Sequence, residues 1–522
     1  SRGLGDVYKR PSKTPSWKLR QIFNQLLAEG YLKTTPDSYM IVKTEEAEVR
    51  VNHSDIMYYE TTARKIGIHL KNGEVLLVRK TIKESPYTPG ISVIAPAFNE
   101  EKTIIDNVNS MLALEYPLFE VVIVNDGSTD STLEKMTEYY ELVEVPYAYI
   151  ERIKTRPFRR LLKSSNPKYS RLIVVDKENG GTKADASNAG INVASHPYFI
   201  CTDVDCILEK YALYRCISPI ISSEKQVIAV SGTMLMANGC VVKDGQIIDV
   251  RTPRTPIPLF QNLEYMRSYL IGKMGWSAIN GMPNVSGGFG LFDRSVAIAA
   301  GGYDAPSFAE DMDLITRMVG YMCDFSRPYK IVQIPDTCCW TEGPPNLAML
   351  YRQRTRWARG LFQTLNIHRK MIFKKTYKQM GLLTLPYMFV FEFLAPIIEL
   401  VGLIVFIYLA FTGAVNWNTA WMIYLTIYTF CQFLSIVVIT YDYYVGMLYK
   451  RGYEYLWIII ASILEPIFYH PIITFCSLRG YLSYLTNRDF KWKNMERKGF
   501  KQKEESADGT DITAMKPEPA TI

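Results

Sequence analysis

The chain has 522 residues, which is enough for two or three domains and a sizeable core. Its 59 basic and 52 acidic residues give a net charge of +7, which is too small to argue for a nucleic-acid-binding protein and is explained by basic residues near membrane segments. The nine cysteines include no C-x-x-C pair, so they argue against a zinc ribbon or a disulfide scaffold and indicate reduced cytosolic thiols.

The first ten residues differ in character from the rest of the chain. Residues 5–10 resemble the translation of a sequencing-library adapter. We therefore interpret residues 1–10 as an assembly artefact or, alternatively, as an ordinary disordered basic tail.

Residues 11–84 are predicted to form a small α+β accessory segment. Apolar residues at helical spacing predict a helix over 16–30, and strict alternation with an Asn72-Gly73 hairpin signal predicts strands over 40–83. Around residues 55–60 the segment resembles the first half of a LytTR-type DNA-binding domain, whose second half is missing. A small β accessory domain is the other interpretation.

Residues 85–375 are predicted to form an α/β domain. Apolar runs predict strands over 91–95, 121–124, 172–175, 198–202 and 227–230, and helical periodicity predicts helices over 100–114 and 130–140. Alternation of strands and helices indicates a Rossmann-like, doubly wound, mostly parallel sheet. Ligands bind beyond the carboxyl ends of the strands in such sheets, so candidate site residues are sought just after each strand.

Residues 376–486 are predicted to form a membrane domain with three to four helical segments. The stretches long and apolar enough to span a bilayer are 381–412, 418–441 and 454–485. Lys450 and Arg451 place the second gap on the cytosolic side by the positive-inside rule.

The composition of residues 487–522 predicts a tail that is first basic and then disordered. By the positive-inside rule the basic part also belongs in the cytosol. A simple third span would instead leave this tail outside the cell. We therefore expect residues 454–485, interrupted by Glu465-Pro466 and His470-Pro471, to form a re-entrant or hairpin element. Residues 381–390 are alternatively expected to lie along the membrane interface.

Polar residues follow the first two strands of the α/β domain. Pro96, Asn99 and Glu100 follow the first, and Asp126-Gly127 follows the second. A glycine lets the backbone approach a ligand, and the Asp126 carboxylate can accept a hydrogen bond from a base or a ribose. Taken alone, the second cluster is more typical of an ordinary turn and helix cap.

Two carboxylates follow the strand at 198–202. Asp203 and Asp205 are one residue apart, and such a pair can hold a hard divalent ion, Mg²⁺ or Mn²⁺, together with phosphate oxygens. The ion would neutralise a diphosphate leaving group. Solvated turns also produce this spacing.

Asp311 begins a predicted helix and is our candidate general base, although capping of the helix N-terminus would explain the same residue. Gly287, Gly288 and Phe289 are predicted to floor an acceptor site in which a sugar ring stacks on Phe289. The alternative interpretation of residues 287–289 is a tight turn before a strand.

Gln353-Arg354-Thr355-Arg356-Trp357 lies just before the membrane segments. An arginine can clamp a diphosphate with two parallel hydrogen bonds, and a tryptophan face suits a sugar ring. A basic helix with snorkelling side chains is the alternative, and Arg352, Arg354 and Arg359 fit that role.

Together these motifs resemble one family. The chain from about residue 85 to residue 500 resembles the processive, membrane-integrated family 2 glycosyltransferases, which include cellulose synthase, hyaluronan synthase and poly-N-acetylglucosamine synthase. The motifs that carry the resemblance are Ala95-Pro96-Ala97-Phe98-Asn99-Glu100, Asn125-Asp126-Gly127-Ser128, Gly180-Gly181-Thr182-Lys183-Ala184-Asp185, Asp203-Val204-Asp205, Glu310-Asp311 and the pentad 353–357.

The resemblance implies a GT-A catalytic domain and a role for each motif. The residues that would bind the nucleotide sugar are Pro96, Asn99, Glu100, Asp126, Lys183 and Asp203. The resemblance further assigns the metal to Asp203 and Asp205, catalysis to Asp311, Gln353, Arg356 and Trp357, and the acceptor to Gly287, Gly288, Phe289 and Trp357.

The expected function is transfer of a hexose, expected to be N-acetylglucosamine, with inversion from a UDP-sugar onto a growing β-linked glycan. The expected location is the bacterial inner membrane, multi-pass, with the catalytic domain in the cytosol and an accessory subunit among the partners. The alternatives are single transfer to a polyprenyl-phosphate or lipid acceptor, and a membrane-tethered LytTR-type DNA-binding regulator. No nucleic acid is expected as a partner.

Overall fold

The computed structural model describes residues 89–486, except 244 and 447, and the backbone of six strands between residues 32 and 79. These strands are β1 (Leu32–Thr34), β2 (Tyr39–Lys43), β3 (Glu48–Asn52), β4 (Ile56–Thr62), β5 (Lys65–Leu70) and β6 (Val75–Arg79). They form two antiparallel three-stranded sheets, β1-β2-β3 and β4-β5-β6.

The antiparallel pairing of β5 with β6 confirms the predicted hairpin. The predicted helix at 16–30, residues 1–10 and the tail at 487–522 lie outside the described residues. The LytTR resemblance and the domain limits stay predictions.

The α/β domain contains twelve strands and nine helices in the part that the structure describes. The strands are β7 (Ile91–Ala97), β8 (Phe119–Asp126), β9 (Leu142–Val145), β10 (Phe158–Ser164), β11 (Leu172–Lys177), β12 (Tyr198–Thr202), β13 (Ile207–Leu208), β14 (Gln226–Met236), β15 (Val241–Lys243), β16 (Gln246–Asp249), β17 (Phe289–Asp293) and β18 (Tyr329–Thr341). The helices are α1 (Ile104–Leu112), α2 (Thr132–Tyr139), α3 (Lys183–Val193), α4 (Ala212–Ser222), α5 (Pro256–Arg267), α6 (Lys273–Ala278), α7 (Arg294–Ala299), α8 (Glu310–Asp324) and α9 (Leu347–Ile367). All five predicted strands and both predicted helices are present.

Ten of these strands form one sheet in the order β13-β18-β14-β17-β12-β7-β8-β11-β10-β9. The centre, β12-β7-β8-β11, is parallel, which confirms the Rossmann-like α/β prediction. "Mostly parallel" is wrong for the whole sheet, since the outer pairs are antiparallel apart from β14 with β18. The connection between β10 and β11 is too short to contain a crossover helix, so these two neighbouring strands must pair antiparallel.

Helices cover both faces of the sheet, so its central strands are continuous apolar runs. Every residue of β7 from Ile91 to Ala95 is buried, and β11 is buried throughout. This layering places the carboxyl ends of β8, β11 and β12 at one edge of the sheet, and that edge carries Asp126 and Asp203.

Three helices in the described part of the chain are long and apolar enough to cross a membrane: α10 (Met380–Phe411), α11 (Trp417–Tyr441) and α12 (Gly452–Thr486). The expected re-entrant or hairpin element is wrong, because α12 is one continuous helix with Pro466 and Pro471 inside it. A proline bends a helix without reversing it. Contacts on both sides of the prolines hold this helix, at Glu465 with Arg267 and at Gly480 with α9.

Candidate active site

A cavity of about 540 Å³ lies at the carboxyl edge of the sheet and extends toward the apolar helices. Eight of the site residues proposed from the sequence line it: Lys183, Asp203, Gly287, Gly288, Asp311, Gln353, Arg356 and Trp357. Glu392, Ile473, Ser477 and Tyr481 line its far end and belong to α10 and α12. One continuous space therefore joins the predicted catalytic groups to the membrane helices.

Asp126 lies outside this cavity, at the end of β8, in a buried charge cluster. Its Oδ1 accepts a hydrogen bond from Lys177 Nζ at 2.6 Å and another from the Gly180 N–H at 3.0 Å. Lys177 Nζ also lies 2.6 Å from Asp185 Oδ2. Burial raises the pKa of Asp126, and the contact with the Lys177 ammonium opposes that rise. A side chain at Gly180 would collide with Asp185, so this close approach requires glycine.

Asn99 and Glu100 also lie outside the cavity and hold the loop that follows β8. Asn99 accepts from the Thr129 N–H at 2.8 Å through Oδ1, and the Glu100 N–H donates to Thr132 Oγ1 at 2.8 Å. Asn99 adopts a left-handed backbone conformation with φ of 57°. These contacts place both residues, with Pro96 at the end of β7, beside the loop that carries Asp126.

Lys183, at the start of α3, connects two parts of the cavity wall. Its Nζ donates to Asp203 Oδ1 and to the Gly287 carbonyl, each at 2.6 Å. Burial would lower the pKa of Lys183, but the Asp203 carboxylate outweighs burial and holds that pKa above its usual value. An ammonium held here can face a diphosphate.

The residues proposed as metal ligands bring oxygen donors together. Ligand atoms of Asp203, Asp205 and Cys206 lie within 4.8 Å of one another. The two carboxylates suit Mg²⁺ or Mn²⁺. The thiol is a softer ligand, and Cys206 is buried with a hydrogen bond to Cys339. The donor chemistry therefore fits a hard ion that is held by the carboxylates and shared with phosphate oxygens.

Asp311 is oriented by the polypeptide around it. Its Oδ2 accepts from the Gly287 N–H at 3.1 Å and from Asn284 Nδ2 at 3.4 Å, and its Oδ1 accepts from the Met312 N–H at 2.9 Å. Next to it Glu310 is buried, and burial together with the Asp311 charge raises the Glu310 pKa. Asp311 is thus a carboxylate fixed at the wall of the cavity.

The cavity also contains a lysine that the sequence analysis missed. Lys273 is 7% exposed, and its Nζ lies 4.5 Å from the centre of the Tyr269 ring. Burial lowers the pKa of Lys273 to about 8, and the nearby Asp311 charge partly opposes this effect. The available signal was a lone lysine within the apolar helical stretch 268–278.

The pentad 353–357 lies on α9. Some of its side chains line the cavity, and others hold α9 in place. Gln353 Oε1 accepts from Gln261 Nε2 at 2.9 Å, and Arg356 Nη1 donates to the Phe308 carbonyl at 3.4 Å. Trp357 is partly buried against the core. Its ring lies 4.4 Å from the Arg354 guanidinium.

The alternative role of Arg354 as a snorkelling side chain is wrong. Its guanidinium is buried and donates to both oxygens of Glu264, at 2.6 and 2.5 Å, and to Tyr469 Oη at 3.0 Å. Because these hydrogen bonds hold the guanidinium group between α5 and α9, it cannot reach the lipid headgroups. Its partner Glu264, on α5, gave no signal in the sequence.

The predicted stacking of a sugar on Phe289 is also wrong. Phe289 is 0% exposed in β17 and packs against Gly232 in the core. Because β17 lies inside the sheet, between β14 and β12, all five of its residues are buried and the Phe289 ring cannot face the cavity. Gly287 and Gly288, which precede it, do line the cavity next to Asp311 and Asp203.

Two family models match this chain in succession. The model described as "Glycosyl transferase family 2" matches residues 92–238, and the model described as "Glycosyl transferase family group 2" matches residues 254–470. Together they cover more than half of the chain. The mixed sheet with its parallel centre is that of the GT-A glycosyltransferases. The chain belongs to the family 2 glycosyltransferases, in the group that carries membrane helices.

Curated relatives match about half of the chain. Poly-beta-1,6-N-acetyl-D-glucosamine synthase of Staphylococcus epidermidis is 28% identical over 291 residues, which are 56% of this chain and 58% of the relative. The synthase of that name from Staphylococcus aureus (strain COL) is 29% identical over 278 residues, 53% of this chain and 55% of the relative. The chain thus spans little more than half the length of these relatives.

Two solved structures are also similar. The mannosyltransferase PcManGT from Pyrobaculum calidifontis, in complex with GDP-Man and Mn²⁺, is 17% identical with a TM-score of 0.45, covering 77% of this chain and 89% of that one. A fragment of TarS from S. aureus, in complex with UDP-GlcNAc, is 18% identical with a TM-score of 0.32, covering 55% of this chain and 74% of that one.

Proposed function

We propose that this glycosyltransferase polymerises a β-linked glycan by transferring N-acetylglucosamine from its UDP-activated form. The observation that carries the proposal is the cavity, which brings Asp311, the Lys183–Asp203 pair and Trp357 around one space that reaches the membrane helices. A growing chain needs a space that continues beyond the reacting carbon. The curated relatives, named as synthases of an N-acetylglucosamine polymer, support the choice of sugar.

The donor would lie along the carboxyl edge of the sheet. Asp126, held by Lys177, would accept from the uracil, and Pro96, Asn99 and Glu100 would shape that end of the site. Lys183 would face the diphosphate from the opposite side. A divalent ion, Mg²⁺ or Mn²⁺, bound by Asp203 and Asp205 would neutralise the departing diphosphate.

Asp311 would take the proton from the acceptor hydroxyl as that oxygen attacks the anomeric carbon. The hydrogen bonds from Gly287 and Asn284 hold the carboxylate at the cavity wall. A single displacement with one base inverts the anomeric centre and gives a β-linkage. Gln353, Arg356 and Trp357 would hold the acceptor end of the glycan beside the diphosphate.

We also infer the orientation of the protein in the membrane. Arg451, after α11, contacts Asp249 of the catalytic domain at 3.2 Å. The segment between α11 and α12 therefore lies on the side of the catalytic domain. Its basic residues Lys450 and Arg451 favour the cytosol, which puts the catalytic domain at the cytosolic face of the inner membrane. An accessory subunit remains among the proposed partners.

Incorporation of radiolabel from a panel of UDP-sugars, by membranes carrying the chain, tests the proposal. We expect incorporation from UDP-N-acetylglucosamine into a product that runs as a ladder or smear and is cleaved by a β-specific hexosaminidase. A single labelled lipid would indicate one transfer to a lipid acceptor and contradict polymerisation.

Asp311→Asn tests whether Asp311 is the general base. It should lower incorporation by roughly 10²–10⁴-fold because no carboxylate is left to take the proton. Binding of the UDP-sugar should be unchanged. Asp324→Asn, at the exposed end of the same helix, should behave like the unmodified protein. Near-normal turnover of Asp311→Asn would remove Asp311 as the base.

A further inference from the structure

Helix α12 contacts the catalytic domain near both of its ends and at its centre. At its start Glu454 accepts from the Thr252 N–H at 3.0 Å and from Arg254 Nη2 at 2.9 Å. At its centre Glu465 lies 3.0 Å from Arg267 of α5. A crossing helix leaves the domain at its first turn, whereas this one does not.

The last turns of α12 pack along α9, the helix that carries the pentad. Gly480 lies against Ala358 so closely that a side chain at this glycine would collide with it. The rings of Phe362 and Tyr484 are 4.8 Å apart. Since Gln353 and Arg356 of α9 line the cavity next to Asp311, the end of α12 is on the catalytic side of the membrane.

The distance along the helix makes this arrangement incompatible with a crossing. From residue 454 to residue 484 an α-helix rises about 45 Å, more than the roughly 30 Å of a hydrocarbon core. A helix that crossed from residue 454 would carry residue 484 to the far face. Helix α9, with its four arginines between 352 and 359, would then have to follow it through lipid.

The exposed side of α12 is apolar, as contact with acyl chains requires. Polar and small residues face the protein, among them the buried Glu454, Ser462 and Gly480. Large apolar residues along the opposite side are exposed: Leu456, Ile460, Ile463, Ile467, Leu482 and Leu485. Acyl chains can cover this exposed side, and the contacts at both ends of α12 set the direction of the helix along the surface.

We propose that α12 lies along the cytosolic surface of the bilayer, so that only α10 and α11 cross it. The partner of its exposed apolar face is the acyl-chain region of one leaflet. This topology keeps Arg488, Lys491 and Lys493 in the cytosol, as the positive-inside rule requires. The proposal rests on the membrane location of the protein and is independent of sugar transfer.

In-plane placement gives α12 a role at the site. Ile473, Ser477 and Tyr481 line the membrane end of the cavity, so the helix forms the floor on which the acceptor glycan lies. The glycan must then leave past the edge of α12, next to Glu392 of α10, which also lines the cavity.

Cysteine labelling on the full-length chain tests the topology. A membrane-impermeant maleimide is applied to right-side-out and inside-out membrane vesicles carrying Ser506→Cys, in the tail after α12. We expect labelling in inside-out vesicles only, as for Lys450→Cys. Ala414→Cys, between α10 and α11, marks the opposite side, and the unsubstituted protein gives the background from native cysteines.

Labelling of Ser506→Cys in right-side-out vesicles, as for Ala414→Cys, would show that α12 crosses the membrane and overturn the proposal. Because labelling does not depend on turnover, this outcome is separate from a failure of sugar incorporation.

The depth of the helix provides a second measurement. Leu456, Ile467 and Leu485 are all exposed, and at 3.6 residues per turn they lie within about 20° of one another around the helix. Nitroxide labels at these positions should show similar collision rates with oxygen and with a polar nickel reagent. A label at 467 that is far deeper than those at 456 and 485 would indicate a crossing helix.

Discussion

Lys273 is a buried ammonium group in the wall of the cavity, and its position has a consequence for stability. Burial lowers its pKa to about 8, from 10.5. Between these values the unfolded chain binds a proton that the folded protein has released. The free energy of unfolding contributed by this residue therefore rises with pH across that window.

Lys273→Met should remove this dependence. The wild-type free energy of unfolding, relative to that of the variant, should increase by up to about 3 kcal/mol from pH 8 toward pH 10.5. Thermal unfolding of both proteins in detergent, at a series of pH values between about 7.5 and 9.5, measures the difference. A pH-independent difference would contradict the shifted pKa, and Lys330→Met, at an exposed lysine, is the control.

Three of the site residues proposed from the sequence share a simple location. Asp126 ends one strand of the parallel centre, Asp203 follows another, and Asp311 lies in the first turn of a helix. Strand ends and helix starts are set largely by local sequence, and a general rule places ligands beyond such strand ends. The prediction for Phe289 was wrong because β17 is buried throughout, and Lys273 was missed because it is buried as well. In both cases burial depends on long-range packing.

The connection between α5 and α9 is the main element-scale feature of the site. Arg354 makes two hydrogen bonds to Glu264 and stacks on Trp357, although its side chain is only 6% exposed. A buried ion pair contributes little net stability but is costly to break. Through it the pentad keeps a fixed position relative to the rest of the cavity.

Arg354→Lys should lower the free energy of unfolding by about 3 kcal/mol, because a lysine cannot make the two parallel hydrogen bonds or the stacking contact. A double-mutant cycle with Glu264→Gln should show that the two effects are not additive. Urea or thermal unfolding in detergent gives the energies. Arg352→Lys, at the exposed neighbour, is the control, and equal effects at 352 and 354 would contradict the assigned role.

At the scale of elements, the sequence predicted the existence and type of the helices and strands better than their length and direction. The predicted strand at 227–230 is the start of β14, which runs through Gln226–Met236. Its later residues, including Gly232 and Thr233, lack strand periodicity and pair because β18 lies alongside. For α12, the prolines suggested a break, but contacts with α5 and α9 outweigh the two missing hydrogen bonds.

At the scale of the whole molecule, the cavity belongs to neither part of the chain alone. Its catalytic end is built by loops of the α/β domain, and its far end by α10 and α12. The spacing of motifs along the chain could not predict this union, because residues about 200 positions apart, such as Thr252 and Glu454, are joined only by folding. The domain limits predicted at 375 and 376 therefore divide a single site.

Ser477 provides a test of that union, because it lines the membrane end of the cavity. Ser477→Trp would fill the space proposed for the glycan and leave the donor end unchanged. We expect polymer incorporation to fall by about tenfold or more and UDP-sugar binding to stay within about twofold, because the substituted residue is remote from the nucleotide. Product length on a gel should shorten in parallel with the rate.

The control substitution places the same side chain on the opposite face of α12. Leu482 is 54% exposed on the apolar side of the helix, and Leu482→Trp adds an aromatic ring where the bilayer accommodates one. This variant should retain both rate and product length. If Ser477→Trp also makes polymer of normal length at a normal rate, the glycan cannot pass through the membrane end of this cavity, and the acceptor must leave between other elements.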